Sequence, residues 1–355
     1  MTDVFELMRI VIDRKGSDLH LSVGREPVIR VNGRMYALND YGSLTGEDTE
    51  RLIRQFAPEK AVKELEESGT SDFGYAFEDK ARFRVSILRQ RESWATVMRL
   101  IPNKLFTFDE LGLPEGARRL LDRPRGLILV TGPTGSGKTT TMATMVDHIN
   151  QTMDKHIVTI EDPIEFYHEH KLSQVTQREV GTDVPSFAEG MRRVLRQDPD
   201  VIMLGEMRDL ETTSAAITAA ETGHLVMGTL HTTGAARTMD RIIDQYPTDQ
   251  QSQIKAQLSV SILAVISQVL MPRADMEGLI AGYELMIVTS AIQNHIRKGE
   301  SFKINSVVQT SKKEGMVLLD DFLMDLYRAG RIDRQTALEK SQDQRAMAMK
   351  LGGVS

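Results

Sequence analysis

Residues 127–140 read LILVTGPTGSGKTT. Four consecutive apolar residues suit a buried strand, and GPTGSGKT (Gly132–Thr139) matches the pattern G-x-x-x-x-G-K-[ST]. The residues that follow, TTTMATMVDHINQT (139–152), have the composition of a helix. Strand, glycine-rich loop and helix in that order form a phosphate cradle. Glycines let the backbone wrap closely around an anion, the free N–H groups at the helix start supply positive potential, and the lysine adds a full charge. Gly135, Ser136, Gly137, Lys138, Thr139 and Thr140 are therefore assigned to nucleotide binding, with the Thr139 hydroxyl suited to ligate Mg²⁺.

Downstream, short β-rich runs alternate with helical segments: HIVTI (156–160), SFAEGMRRVLRQ (186–197), DVIML (200–204), LETTSAAITAAET (210–222) and LVMGTL (225–230). This βαβ rhythm predicts a mainly parallel sheet covered by helices. Ser186 and Glu189 have the spacing of a capping box. Beyond Arg241 the pattern is mostly helical, apart from a strand at LIAGYELMIV (279–288). LSVSILAVISQVLM (258–271) reads as a buried helix; it is too short, and too interrupted by Ser and Gln, to span a bilayer.

Upstream the pattern differs. Residues 17–40 alternate as strands, with an Asn32-Gly33 hairpin signal. Residues 46–69 have helical spacing and end at Gly69, and 71–101 alternate again. A small α+β module over 1–100, a Pro- and Gly-rich linker over 101–115 and a larger α/β domain over 116–355 are expected. No repeat of 20 to 50 residues is evident.

Composition narrows the functional classes. With no cysteine in 355 residues, disulfides and Cys-ligated zinc or iron–sulfur sites are excluded. A formal charge of -6 argues against a dominant nucleic-acid surface, so no nucleic-acid partner is expected. The opening MTDVFELMRIVIDRKG places Asp3 and Glu6 where a signal peptide carries basic residues, which predicts a cytoplasmic chain with no membrane insertion.

Two acidic segments compete for the chemistry. IEDPIEF (160–166) carries Glu161, Asp162 and Glu165, and DPDVIMLGE (198–206) is an apolar strand leading to Glu206. An acid at the carboxyl end of a parallel strand faces the phosphate crevice, so Glu206 suits Mg²⁺ or its water. One glycine, Gly205, separates it from the strand, whereas the usual strand ends directly in the acid. Residue chemistry alone would make Glu206 the base as well. His224 and His231 bracket LVMGTL; a zinc pair is conceivable, but no third ligand accompanies them at useful spacing. Arg84 in RFRVS and Arg99 in TVMRL read as surface charges on strands, although arginine also suits developing phosphoryl charge.

Together these motifs resemble the type II/IV secretion ATPases: HIVTIEDPIEF (156–166) looks like their Asp box, DPDVIMLGEMRD (198–209) like their atypical Walker B, and TGHLVMGTLHT (222–232) like their His box. SDLHL near the start and the overall layout are similar to the pilus-retraction branch. The resemblance implies an α/β protein with a PAS-like N-terminal domain, a RecA-like P-loop ATPase domain and a helical C-terminal extension. It further implies a homohexamer at the cytoplasmic face of the inner membrane, using ATP and Mg²⁺ and meeting a pilus platform protein. It assigns Glu165 as catalytic base, Glu206 as the Mg²⁺-side acid acting partly through water, Arg84 and Arg99 as phosphate-contacting arginines, and His231, with His224, as contacts to these acids that sense the γ-phosphate. AIQNHIRKGE (291–300) resembles the branch's C-terminal motif, with Gln293 and His295 standing where that motif carries Arg and Leu. Related roles are an accessory paralogue or an assembly or secretion ATPase; a nucleic-acid translocase or nucleotide-gated binding module is the alternative from another class.

Overall fold

The computed structural model describes residues 2–31, 33–78, 81–101 and 105–352. The chain divides into two compact units, one of residues 1–104 with Pro163–Tyr167, the other of residues 105–162 and 168–355. Among the described residues no helix is long and apolar enough to cross a membrane.

The first unit opens with the helix Val4–Asp13, capped by the Asp3 carboxylate, which accepts from the Phe5 N–H at 3.2 Å. Val4, Leu7, Met8 and Val11 form its buried stripe at the spacing expected of a helix packed on one face. Six strands follow: β1 (Asp18–Leu21), β2 (Val28–Val31), β3 (Arg34–Ala37), β4 (Thr70–Phe77), β5 (Ala81–Gln90) and β6 (Ser93–Ile101). They form one antiparallel sheet in the order β3-β2-β1-β6-β5-β4. The β2–β3 hairpin forms where the sequence suggested it, with Gly33 at φ 79°; its other signal residue, Asn32, lies outside the described residues. Residues 46–69, read as one helical stretch, are two helices, Gly46–Arg54 and Glu59–Ser68. Pro58 separates them, because proline disfavours helical geometry in the residue before it and has no N–H to donate. Gly69, at φ 84°, ends the second as expected.

Of the expected linker, residues 102–104 lie outside the described residues. Ile101 ends β6 in the first unit, and residues 105–115 belong to the second: a Thr107–Glu110 capping box starts the short helix Phe108–Leu111, and Phe108 and Leu113, like Ala117 just beyond, are core residues.

The second unit holds β7 (Gly126–Thr131), β8 (His156–Glu161), β9 (Gln174–Glu179), β10 (Val201–Leu204), β11 (Leu225–Leu230), β12 (Ile262–Pro272) and β13 (Leu279–Ile287), in the order β13-β12-β7-β11-β10-β8-β9. All neighbours are parallel except β12 and β13. Alternate residues of β7 point to opposite faces, Leu127 and Leu129 into one core, Ile128 and Val130 into the other. Helices therefore cover both faces, the architecture the βαβ rhythm predicts.

The reading of 258–271 as a buried helix is corrected: the helix Gln251–Ser261 ends there and β12 begins at Ile262. Pairing with β7 on one side and β13 on the other buries nearly all of the strand, which gives it an apolar run rather than an alternating one. The Ser186 box is half formed. Ser186 caps the helix Phe187–Val194 by accepting from the Glu189 N–H at 3.2 Å, but the Glu189 carboxylate turns to Arg193 at 2.6 Å.

Candidate functional site

The glycine-rich loop leaves the carboxyl end of β7 in the middle of the sheet and enters the helix Lys138–Thr152. Its shape needs glycine at two places for different reasons. At Gly132, φ 147°, a Cβ would lie 2.2 Å from the Gln268 carbonyl oxygen; at Gly137, φ 85°, it would lie 2.9 Å from Gln268 Nε2. Gln268, buried in β12, straps the loop down: its Nε2 donates to the Ser136 carbonyl at 2.5 Å and its Oε1 accepts from Thr141 Oγ1 at 2.7 Å.

Lys138 is buried, and its ammonium donates to the carbonyls of Gly132 at 2.9 Å and Pro133 at 3.1 Å. Burial holds its pKa below the ordinary lysine value, against the pull of the Glu206 carboxylate. The first turn of its helix, which includes Thr139 and Thr140, contains no acidic residue, so the positive end of the dipole faces the loop uncompensated. Among the described residues Ser136 Oγ is buried with no protein partner. Positive helix end, lysine, glycine cradle and an unpartnered hydroxyl together fit a bound phosphate chain.

Glu206 follows β10, which β11 separates from β7, and is linked to β10 by Gly205. Its N–H donates to the Ile160 carbonyl at 2.8 Å, and a Cβ there would meet Glu161 Cα and the Ile160 oxygen at 3.4 Å. This hydrogen bond holds the chain against β8 before Glu206 turns out. Glu206 Oε1 lies 2.6 Å from Arg208 Nε and 2.9 Å from His231 Nε2. Burial would raise its pKa, but these two partners outweigh it and hold the carboxyl below its usual value. His231 follows β11, and its Nδ1 faces the Thr134 hydroxyl of the glycine-rich loop at 3.5 Å. Glu206 and His231 thus stand beside the loop that carries Lys138.

Other expectations fall elsewhere. His224 stands at the amino end of β11, its Nδ1 against the Ala219 carbonyl at 3.1 Å, whereas His231 lies beyond the carboxyl end. The strand between them puts the two histidines about 20 Å apart. The structure therefore does not bring the two histidines together. Among the described residues no group of three or more metal-ligating side chains is gathered. Glu161, at the end of β8, is buried and accepts from Thr159 Oγ1 at 2.6 Å and Gln177 Nε2 at 3.0 Å, the contacts of an internal tie.

Glu165 lies in Pro163–Tyr167, which clusters with the first unit; there the Arg82 guanidinium stacks over the Tyr167 ring at 4.5 Å. In the same unit Arg84 and Arg99 are directly opposite each other on β5 and β6, and Asp18 is opposite Arg99 on β1. The Asp18 carboxylate, almost fully buried, accepts from Arg99 Nε at 2.9 Å and lies 3.5 Å from Arg30 Nε. Asp18 therefore anchors a row of arginines across one sheet. Its carboxyl sits below the ordinary value, because Ser17 and Arg99 outweigh the effect of burial.

Gln268, Thr134, Arg208 and Asp18 were not singled out in the sequence. Only Gln268 left a signal, as a polar residue inside an apolar run.

A cavity of about 410 Å³ adjoins the glycine-rich loop, lined by Gly137, Thr140, Thr141, Leu270, Tyr283 and Phe322 among others. A parallel sheet with this loop at its centre, an acid beyond β10, one strand removed from β7, and a large cavity at the loop's flank define a P-loop nucleotide-binding domain. The family model for type II/IV secretion system proteins matches residues 71–345, and the chain belongs to that family. It is 46% identical to the type IV pilus retraction ATPase PilT of Pseudomonas aeruginosa, over 96% of this chain and 98% of that protein. It is 37% identical to the type IV pilus ATPase PilU of the same organism, over 99% of this chain and 92% of the relative. The crystal structure of the pilus retraction motor PilT with bound ADP superposes with a TM-score of 0.92 at 44% identity, covering 98% of this chain and 99% of that one.

Proposed function

We propose that this chain is an ATP-hydrolysing motor that drives type IV pilus retraction. The observation that carries the reading is the 46% identity to PilT over 96% of this chain; the strapped P-loop with Lys138, Glu206 and His231 supplies the chemistry it requires. ATP binds with its phosphates in the loop and its nucleoside toward the adjoining cavity. Lys138 neutralises phosphate charge, and the backbone N–H groups of Gly135 to Thr140 position it. The Thr139 hydroxyl and the anionic Glu206 are oxygen donors suited to Mg²⁺, Glu206 partly through water. Bound there, Mg²⁺ would stabilise charge on the β- and γ-phosphates. His231, bonded to Glu206 and facing Thr134, senses the γ-phosphate.

Glu165 is the base that orients the attacking water, and Arg84 and Arg99 supply further charge to the phosphates. The working assembly is a homohexamer acting on an inner-membrane pilus platform protein from the cytoplasm. The test is complementation of a pilus strain that assembles but cannot retract, together with Mg²⁺-dependent ATP turnover by the purified chain. Restored twitching supports retraction; turnover without rescue points to an accessory or assembly role. Acceleration of turnover by DNA or RNA would favour a translocase.

A further inference from the structure

Glu284 is a buried acid outside the phosphate site. It lies in β13 and is 1% exposed, so its carboxylate must be satisfied by protein donors. Oε1 accepts from the Ala235 N–H at 2.7 Å, and Oε2 accepts from Gln342 Nε2 at 2.9 Å and the Leu319 N–H at 3.5 Å. Ala235 and Leu319 are the first residues of the helices Ala235–Ile243 and Leu319–Arg328. One carboxylate thus sits at the positive ends of two helices; burial is the larger effect and holds its pKa above the usual value, while the Ala235, Leu319 and Gln342 donors pull it back down.

The donors belong to different parts of the unit. Ala235 closes the turn that begins at His231, the histidine bonded to Glu206. Leu319 and Gln342 belong to the C-terminal extension, the helices Leu319–Arg328, Arg334–Lys340 and Gln344–Gly352. Gln342 also lies close to the turn, so that a Cβ added at Gly234 would come within 3.2 Å of its Nε2. The backbone N–H groups of Gln342 and Asp343 donate to the two oxygens of Asp320, at 2.7 and 3.1 Å, so this segment moves with the start of the helix at 319. From the neighbouring strand, Ser267 Oγ accepts from the Gly234 N–H at 2.8 Å. Beside the junction is a cavity of about 300 Å³ lined by Thr233, Gly234, Arg237, Asp320 and Gln342, which leaves that side of the turn unpacked.

We propose that Glu284 and Gln342 are positioning residues for ATP hydrolysis: they tie the turn carrying His231 to the C-terminal helices, so that the placement of His231 against Glu206 depends on where residues 319–352 sit. This inference rests on the sensing role given to His231 above. It makes the extension part of the hydrolysis cycle: a displacement of these helices reaches Glu206 through Gln342, Glu284 and the 231–235 turn.

The test compares Gln342→Ala, Glu284→Gln and His231→Ala in the full-length protein, measuring kcat, the Kd of a fluorescent ATP analogue, and amide exchange of residues 319–352 with ADP and with a non-hydrolysable ATP analogue. Gln342→Ala removes an exposed side chain and leaves the Glu284–Ala235 bond in place. It should lower kcat about tenfold, a loss of transition-state stabilisation near 1.4 kcal/mol, with Kd changed less than about twofold. The parent should show a nucleotide-dependent difference in exchange over 319–352 that Gln342→Ala lacks; a purely structural tie would change stability and leave that difference intact. Glu284→Gln puts an amide donor against two others and should reproduce the kcat loss if it folds; if it does not, Gln342→Ala decides alone. Parent kcat in Gln342→Ala alongside a depressed His231→Ala overturns the coupling only. Parent kcat in His231→Ala overturns the sensing role beneath it.

Discussion

His168 offers a quantitative test of how the acidic turn is held. Its ring is 7% exposed and its Nδ1 has no hydrogen-bond partner among the described residues, so burial pulls its pKa down to about 4, with Asp147 opposing and Lys171 assisting. In the unfolded chain the imidazole should titrate near 6.5. The folded state therefore prefers the neutral ring, and the unfolded chain takes the proton first as pH falls. Stability from this group is intact above about pH 6.5 and drains away as pH falls toward 4. From the two pKa values the loss is about 0.59 × ln(11/1.03), or roughly 1.4 kcal/mol, at pH 5.5, against less than about 0.1 at pH 7.5. His168→Leu removes the titration while keeping an apolar side chain of similar bulk. Urea unfolding of parent and variant, at pH 7.5 and 5.5 and one protomer concentration, should show the variant gaining about 1.3 kcal/mol relative to the parent between the two pH values. Parallel pH profiles would refute the buried neutral imidazole. The segment at stake is fastened to the P-loop helix: Asn150 Nδ2 donates to the Glu169 carbonyl at 2.7 Å, its Oδ1 accepts from the Lys171 N–H at 3.1 Å, and Lys171 pairs with Asp147 at 2.5 Å. Protonating His168 thus loosens the stretch that immediately follows Pro163–Tyr167.

Lys138→Ala removes the buried ammonium that faces the loop carbonyls, and should weaken ATP binding by about 10- to 100-fold, the worth of one charged hydrogen-bonding group, with turnover falling in parallel; equilibrium binding of a labelled nucleotide measures it. Glu165→Gln should cut kcat by about 10² to 10⁴ while ATP still binds, as for loss of a general base. If that variant hydrolyses ATP at the parent rate, Glu206 becomes the better choice of base. Gln268→Leu leaves the Ser136 carbonyl and the Thr141 hydroxyl without their buried partner, which should cost about 2–4 kcal/mol of stability and raise the KM for ATP; thermal unfolding and steady-state kinetics read the two effects.

What the chain disclosed in advance depended on whether a constraint was local. The P-loop is a strand, a glycine turn and a helix start within fourteen residues, so its chemistry is written where it acts. β12 reads as a helix in the sequence because a strand buried on both faces and a buried helix both appear as apolar runs. The polar interruptions in that run, Ser267 and Gln268, were the informative residues: one accepts from Gly234 and the other fastens the phosphate loop. Glu206 and Glu165 could not be ranked by spacing, and the family resemblance assigned the base. The Arg84–Arg99 pair shows the same limit from the other side. Their opposition follows from a two-residue β5–β6 turn in which Arg91 and Glu92 adopt φ of 48° and 65°, with Gln90 facing Ser93. Such turns normally announce themselves with Asn-Gly or Asp-Gly, because positive φ is costly for other side chains. Without that signal the register could not be read, and two arginines fifteen residues apart looked independent. Once the turn is known the rest follows: Arg84 faces Arg99, Arg99 faces Asp18, and the buried Asp18 carboxylate is what lets this cationic row persist on one sheet.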